Sequence, residues 1–381
     1  MSNGESISRK ISGRKNLNFD ILEEIFRYVI EPVHKLDEFD NPGYKHLFDC
    51  ILVNREWCSA GVIQLWKQPF NKNHSKHRFN IIDVYLSCMN NEQLQILKDF
   101  GLVFPNLIHR RRQHPAFDYP SLIRQLEYKE MLFTVWEWCR QTQSTALQTS
   151  TPAAIALVRA LLELFAASGA KLTSVKMVLP DRMDQINYDI IGKYTKILAE
   201  PQIRDLTNPT GNLFLSGNYA NFDQVFVTLS ETFTKVRNLD LSRVFLYTSE
   251  RDCKNKLVEN FCSLISSQTH LVSFTLSTCG DHQSKFMSAL RSQASSLRRV
   301  TFVLLNFENS PPFDGLAACT KLEKIECIRC FNITERAVAP LLSAKFSHLR
   351  EVKVIVFGSN HGVCPEFRNW AENINEQAKS Q

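Results

Sequence analysis

Two cysteines separated by two residues, Cys327 and Cys330, form the pattern with the most obvious chemistry in this chain. This spacing suits half of a tetrahedral zinc site or a redox-active thiol pair. A zinc site needs a second ligand pair, and the sequence has none at suitable spacing. Histidines beside basic segments, without carboxylate or thiol partners, are typical of surface groups; here these are His74, His77, His109 and His114. We therefore expect neither metal binding nor redox chemistry from these residues.

Three motifs of common enzyme classes are absent from the sequence. They are Gly-x-x-x-x-Gly-Lys for phosphate binding, Gly-x-Ser-x-Gly for a nucleophilic serine and His-Glu-x-x-His for zinc. Side chains from distant parts of a fold can still converge into an active site, so this absence alone does not exclude an enzyme. The expectation is a protein with no catalytic residue, no cofactor and no metal.

The composition is that of a folded protein. With 381 residues, of which 44% are hydrophobic and 22% charged, the chain is long enough for more than one domain. Eleven scattered cysteines, an odd number, indicate free thiols in the cytoplasm or nucleus. The longest apolar stretch, 153–167, carries Arg159 and Glu163, so no membrane span is expected. Residues 1–16 are predicted to be a disordered basic tail without the apolar core of a secretory signal.

The first apolar segment of the chain has its residues at helical spacing. They are Leu17, Ile21, Leu22, Ile25, Phe26 and Val29. This pattern predicts an amphipathic helix whose apolar side must be covered by other residues. Asn18 can cap this helix, and Asp20 suits its positive end. A second apolar cluster follows, formed by Leu52, Val53, Trp57, Leu65 and Trp66 around Asn54.

This arrangement resembles an F-box, the small helical module that docks a protein onto the Skp-type adaptor of a cullin-RING ubiquitin ligase. The matching pieces are LNFDILEEIF at 17–26 and LVNREWC at 52–58, closed by Leu65-Trp66. The resemblance implies adaptor contacts from Leu17, Phe19, Ile21, Leu22, Ile25, Phe26, Leu52, Val53, Trp57, Leu65 and Trp66.

Two features depart from the family pattern. Members usually have proline where this chain has Asn18, although a capping residue preserves the turn. The polar run 31–46 is longer than the usual connection between the first two helices. The alternative is that these helices only form part of a helical core, but Trp57 and Trp66 favour an interface, where large aromatics are enriched.

The second half of the chain repeats the pattern apolar-x-x-apolar-x-apolar. It starts at Leu172, Thr210, Val236, Leu271, Leu297, Leu322 and Leu349. The starts are 38, 26, 35, 26, 25 and 27 residues apart, and the four short intervals fit the period of leucine-rich repeats. The two long intervals imply insertions. Apolar stretches at helical spacing lie between the starts, so each unit is predicted to be a short strand followed by a helix.

The later repeats resemble cysteine-containing leucine-rich repeats. Cys330 and Ile333-Thr334 follow the leucines of 322–334, and Cys279 stands relative to Leu276 as Cys330 stands relative to Cys327. The phrase FDYPSL at 117–122 is similar to a segment that follows the F-box in fungal F-box/leucine-rich repeat families.

The predicted fold is therefore α/β, with an all-helical F-box module, a short helical linker region and a leucine-rich-repeat solenoid, or horseshoe. The expected divisions are a basic tail at 1–16, the F-box at 17–70, the linker region at 71–150, the repeats at 151–360 and a C-terminal cap or tail at 361–381.

Residues that alternate with the buried strand positions should line the concave face of the horseshoe and bind a substrate. They are Asn238, Asp240, Ser242, Ser273, Thr275, Ser277, Arg299, Thr301, Lys324, Glu326, Glu351 and Lys353. Their charges are mixed, which favours a protein or peptide ligand over DNA or RNA. For any one of these positions, plain solvated surface is an equally acceptable interpretation.

Three hypotheses follow. The resemblance implies the substrate receptor of an SCF-type ubiquitin ligase, whose partners are a Skp-type adaptor, through it cullin and RING subunits, and an unknown protein substrate. The second is a leucine-rich-repeat binding scaffold outside a ligase. The third and weakest is a nucleic-acid-associated protein that uses the tail and the basic segments 72–78 and 110–112.

Overall fold

The computed structural model describes residues 17–30, 42–70, 80–105, 107, 115–143, 151–178, 188–218, 223–242, 244–245, 251–277, 283–308, 313–356 and 362–380. The predicted tail, most of the run 31–46, both basic segments, the four histidines and Cys279 lie outside the described residues. The chain forms two compact units, Met1–Leu172 and Thr173–Gln381. The boundary between them therefore falls after Leu172, later than the expected division at 150.

Three helices form a small module at the start of the first unit. They are α1 (Leu17–Ile30), α2 (Pro42–Ile51) and α3 (Arg55–Trp66). The core of this module contains Leu22, Phe26, Leu47 and Ala60. The Asn54 side chain caps α3, since its Oδ1 accepts a hydrogen bond of 2.9 Å from the backbone N–H of Trp57.

Further helices complete the first unit. These are α4 (Asn80–Cys88), α5 (Asn91–Asp99), α6 (Tyr128–Thr142) and α7 (Thr151–Ala167), with a short strand β1 (Gln125–Glu127) and a 3-10 turn (Tyr119–Leu122). Inside this unit, the indole Nε1 of buried Trp138 donates a 2.8 Å hydrogen bond to Asp83. The ring of Phe165 on α7 lies 4.8 Å from that of Tyr85 on α4. Helix α7 therefore packs in the helical unit, whereas the sequence predicted that it belongs to the repeats.

The second unit is an α/β structure with an open parallel sheet, which confirms the fold class at this coarser level. The strands described are β2 (Ser174–Val178), β3 (Asn212–Asn218), β4 (Asn238–Leu241), β5 (Val244–Phe245), β6 (Ser273–Ser277), β7 (Arg299–Val303), β8 (Lys324–Ile328) and β9 (Glu351–Ile355). Their order is β2-β3-β4-β6-β7-β8-β9, with β5 beside β3, so neighbours in the sheet follow the chain.

Helices alternate with these strands. They are α8 (Tyr188–Leu198), α9 (Arg204–Thr207), α10 (Asp223–Thr232), α11 (Arg251–Ser266), α12 (Gln283–Ala289), α13 (Asp314–Ala317), α14 (Glu335–Ser343) and α15 (Pro365–Lys379). A 3-10 turn, Leu290–Gln293, follows α12.

The apolar pattern of the sequence coincides with the buried side of the sheet. Leu239, Phe274, Val300, Ile325 and Val352 stand in register on neighbouring strands, and all are buried. Every pattern start is buried as well, including the polar Thr210. Since parallel pairing aligns equivalent positions, each pattern contributes one rung to a continuous apolar core.

Buried amide side chains join successive segments of the second unit. Gln268 accepts a hydrogen bond from the backbone N–H of Val236 and donates to the carbonyl of Phe233, at 3.0 and 2.7 Å. Helix α15 lies against β9, the last strand of the sheet, where the Asn375 amide bonds both backbone groups of Val352 at 2.9 Å. These amides satisfy backbone groups that would otherwise be buried without partners.

Candidate functional site

The three-helix module has large apolar side chains exposed on its outside. On α1, Ile21, Ile25 and Tyr28 follow one another at spacings of four and three residues, so they share a helix face. Their exposed fractions are 49%, 44% and 65%. Phe48 on α2 and Leu52 and Val53 in the following turn are exposed as well. We call these six side chains the module surface.

A second face of α1, about 100° around the helix from the exposed one, forms the interior of the module. Leu22 and Phe26, both expected to contact the adaptor, are buried at 8% and 0% exposure. The Trp57 ring packs edge-on against Phe26, with ring centroids 5.5 Å apart. Leu22 and Phe26 therefore hold the three helices together and offer no free surface in this arrangement. Helix α1 has apolar residues on two faces, and the module covers only one of them. The other face therefore remains exposed.

The remaining expected contact residues have mixed positions. Phe19, Trp57 and Leu65 are half-buried around the module core. The Trp66 ring lies 5.4 Å from Tyr85 and 4.2 Å from Tyr119, so it ties the module to the rest of the helical unit. The side chain of Leu17 lies outside the described residues.

The second candidate surface is the side of the parallel sheet that faces away from the buried leucines, here called the sheet face. Strand register arranges its residues in three rows. The first row is Ser174, Asn212, Asn238, Ser273, Arg299, Lys324 and Glu351. The second is Lys176, Phe214, Asp240, Thr275, Thr301, Glu326 and Lys353. The third is Ser277, Val303, Ile328 and Ile355.

Ten of the predicted substrate-binding residues stand in the first two rows, where the side chains are exposed or half-buried. Ser277 in the third row differs from expectation because it is buried. Ser242 follows the end of β4, is half-buried, and its hydroxyl donates a hydrogen bond to Asp240. Burial raises the pKa of Asp240, and this bond opposes the increase.

Lys324 is the centre of an ion-pair cluster on the sheet face. Its Nζ lies 3.2 Å from Glu326 and 3.1 Å from Glu351. The hydrogen bond to Glu351 is the main cause that raises the pKa of Lys324. The hydroxyl of Thr301 donates a 3.1 Å hydrogen bond to Glu326. Both carboxylates of this cluster are therefore occupied by neighbours on the protein itself.

Sequence reasoning missed part of the sheet face. Asn212 and Phe214 belong to its rows, and Asn212 Oδ1 accepts a 2.6 Å hydrogen bond from Asn238. Ser174 and Lys176 of β2 belong to the same rows and were missed as well. All four could have been found by applying the strand alternation to the repeats that start at Leu172 and Thr210. The apolar third row was also missed, although Val303, Ile328 and Ile355 continue the same alternation by two positions.

The cysteine pair lies in the interior. Cys327 occupies the buried side of β8, and the Cys330 thiol donates to the backbone carbonyl of Phe302 at 3.4 Å. A hydrogen bond from Cys330 and burial raise the pKa of the Cys327 thiol. In the described part of the chain, no three metal-ligating side chains come together.

No family model, curated protein or solved structure matches this chain. Within the described ranges, no helix has both the length and the apolar composition needed to cross a bilayer. Function is therefore inferred from the two surfaces of the chain itself.

Proposed function

We propose that this protein is the substrate-recognition subunit of an SCF-type ubiquitin ligase. The module of α1 to α3 would dock onto a Skp-type adaptor, and the sheet face would bind a protein substrate. The observation that carries the proposal is the exposure of Ile21, Ile25, Leu52 and Val53. They belong to the segments that resemble an F-box, and exposed apolar groups of this size are typical of a surface that a partner covers.

We propose further that the second unit is a leucine-rich-repeat solenoid. Three observations support this interpretation: the strands pair in chain order, the rungs of the buried ladder recur at the predicted spacing, and helices return between strands. In such a solenoid each repeat buries its apolar side against its neighbours and leaves the opposite side of the strands available to a ligand.

The proposed mechanism is positional. The receptor would hold its substrate close to a ubiquitin-conjugating enzyme recruited by the RING subunit, which raises the local concentration of a substrate lysine near the charged thioester. The reacting groups come from the substrate and the conjugating enzyme, so the receptor has to supply binding surfaces and no nucleophile.

The test is co-expression of the full chain with a Skp-type adaptor, comparing wild type with an Ile21→Asp/Ile25→Asp variant. Two buried charges in the contact should abolish co-purification, because neither carboxylate would have a partner there. The matched control is Ile96→Asp, another exposed isoleucine in the helical unit, which should retain binding. Leu22 is unsuitable for this test because Asp at this position would place a charge inside the module core and would disturb the fold as well as the contact.

Two results would count against the proposal. If the wild-type chain fails to bind the adaptor, docking is excluded. If the double variant binds as well as wild type, Ile21 and Ile25 lie outside the interface. Adaptor binding without cullin incorporation or substrate ubiquitination would favour the alternative of a non-ligase binding scaffold.

A further inference from the structure

The sheet face has an unbalanced charge pattern between β7 and β9. Arg299 stands directly opposite Lys324 in the strand register, and like charges in that position repel each other. Lys324 is compensated by Glu326 and Glu351. Within the described residues, Arg299 and Lys353 are exposed and have no ion pair. Glu326 stands opposite Lys353 in the strand register but is engaged by Lys324 and Thr301, and Glu351 is engaged by Lys324, so neither of these two carboxylates is free for the exposed cations.

The two unpaired cations lie on opposite sides of the Lys324 cluster. They are two strands apart and in adjacent rows, which places their Cα atoms about 12 Å from each other for strands ~4.8 Å apart. A carboxylate from outside could lie between Arg299 and Lys324 and relieve their repulsion. Each hydrogen bond formed there would be charge-assisted.

The carboxyl end of the same strands is apolar. Val303, Ile328 and Ile355 form the third row, and Ile355 is 38% exposed. Beyond the strand ends, Leu304 and Phe331 are exposed to a similar degree. The surface therefore changes over two steps along the strands: a first row with two cations and one carboxylate, a polar second row with one charge of each sign, and an apolar third row.

We propose that this part of the sheet face binds an extended peptide segment that carries an acidic side chain and, four positions away, an aliphatic one. The inference rests on the proposed function, because it names the substrate class of the same face. An extended peptide advances about 6.6 Å per two residues, which equals the spacing of the rows. Residues at positions one, three and five then meet the first, second and third rows, giving the pattern acidic-x-polar-x-aliphatic in either chain direction.

A nucleic-acid strand fits this surface less well. The residues that β7, β8 and β9 present on this face include three cations and two carboxylates. Phosphate recognition relies on a continuous positive surface, and the carboxylates would repel it.

The experiment is a selection of random dodecapeptides displayed on phage, with the purified full chain as bait. Enriched peptides are then synthesised and their affinities measured by fluorescence anisotropy. We expect enrichment of an Asp or Glu four positions from Leu, Ile or Val. Arg299→Glu should weaken binding of these peptides at least tenfold, and a peptide with Lys in place of the acid should bind this variant better than it binds wild type.

Matched controls separate the face from general charge and apolar effects. Arg237→Gln changes an exposed arginine just before β4 and should leave affinity unchanged, whereas Arg299→Gln should lower it. Likewise, Ile355→Asp should abolish binding and Ile96→Asp should not. Circular dichroism of each variant establishes that it is folded.

The proposal is overturned if no peptide is enriched, if enriched peptides lack the acidic position, or if they bind the Arg299 and Ile355 variants as tightly as wild type. A fluorescent oligouridine that binds more tightly than the peptides, and loses this binding in Arg299→Gln, would assign the face to nucleic acid instead. Adaptor co-purification is measured in parallel. Its retention alongside failed peptide selection would reject this inference alone, and its loss alongside successful selection would reject only the ligase assignment.

Discussion

The division of α1 into an inner and an outer side can be tested by truncating one residue of each side to alanine. Leu22 is almost completely buried among Phe26, Leu47 and Ala60. Leu22→Ala should therefore lower the free energy of unfolding of the module by about 2 to 3 kcal/mol, the lower part of the range for core leucines, because this core is small. Ile25 is 44% exposed, and Ile25→Ala should cost about 1 kcal/mol or less.

Hydrogen exchange followed by mass spectrometry measures this difference within the module. In peptides that cover α1 and α3, Leu22→Ala should accelerate exchange about 30- to 150-fold, which corresponds to a loss of about 2 to 3 kcal/mol. Ile25→Ala should change it less than about sixfold. Affinity for a Skp-type adaptor should behave differently, since Ile25→Ala removes a contact and should weaken binding about tenfold without opening the module.

Equal acceleration of exchange by both substitutions would contradict this division of α1. Ile25 would then belong to the interior, and α1 would have no apolar side left for a partner. The same holds if Ile25→Ala leaves adaptor affinity unchanged while the wild-type chain binds.

Other substitutions test the fold around both surfaces. Among the described residues, the buried hydroxyl of Tyr85 has no hydrogen-bond partner, so Tyr85→Phe should leave the melting temperature unchanged or raise it; a fall of several degrees would contradict this. Leu304 has a left-handed backbone with φ of 58°, so Leu304→Gly should stabilise the second unit by about 0.5 to 1 kcal/mol in urea denaturation. Asn375→Leu leaves both backbone groups of Val352 without this partner and should cost about 1 to 3 kcal/mol, detected as faster exchange in β9. Because burial raises the pKa of Asp240, the folded protein binds its proton more tightly than the unfolded chain. Asp240→Asn should therefore raise the melting temperature at pH 7, and this difference should shrink as pH falls through the raised pKa and be absent below the unfolded value of about 4.

The rungs of the sheet could be predicted from the sequence because strand side chains alternate with a period of two. Once Val300 and Phe302 are placed inside, Arg299 and Thr301 must point to the other side. The repeat spacing then puts equivalent residues in register, even where Thr210 replaces an apolar pattern start. The rows of the sheet face follow from these two local rules.

The inner side of α1 could not be predicted in the same way. Ile21 and Leu22 are adjacent, as are Ile25 and Phe26, and neighbouring residues on a helix are only about 100° apart. The apolar side of a buried helix can be wide enough to include both members of each pair. The periodicity of the sequence therefore does not show which member is buried. The choice depends on where α2 and α3 approach, and the packing around Phe26 decides it.

The boundary between the two units was also beyond local reasoning. Helix α7 joins the helical unit through contacts such as that between Phe165 and Tyr85, which are 80 residues apart in the chain. Its own apolar pattern is equally compatible with a repeat helix. Only the partner that it packs against distinguishes the two assignments.

The position of Cys327 in the sheet gives this thiol a packing role that its spacing to Cys330 does not reveal. Cys327 takes the place on β8 that Phe302 takes on β7, and a thiol there packs as a small apolar group. Burial also raises the pKa of Cys139 and Cys319 to about 12, so these thiols stay protonated near neutral pH, and the thiolate is the nucleophilic form. The alternation that turns Glu326 toward the open side of β8 turns Cys327 inward. One strand therefore contributes polar side chains to the sheet face on one side and a buried thiol to the core on the other.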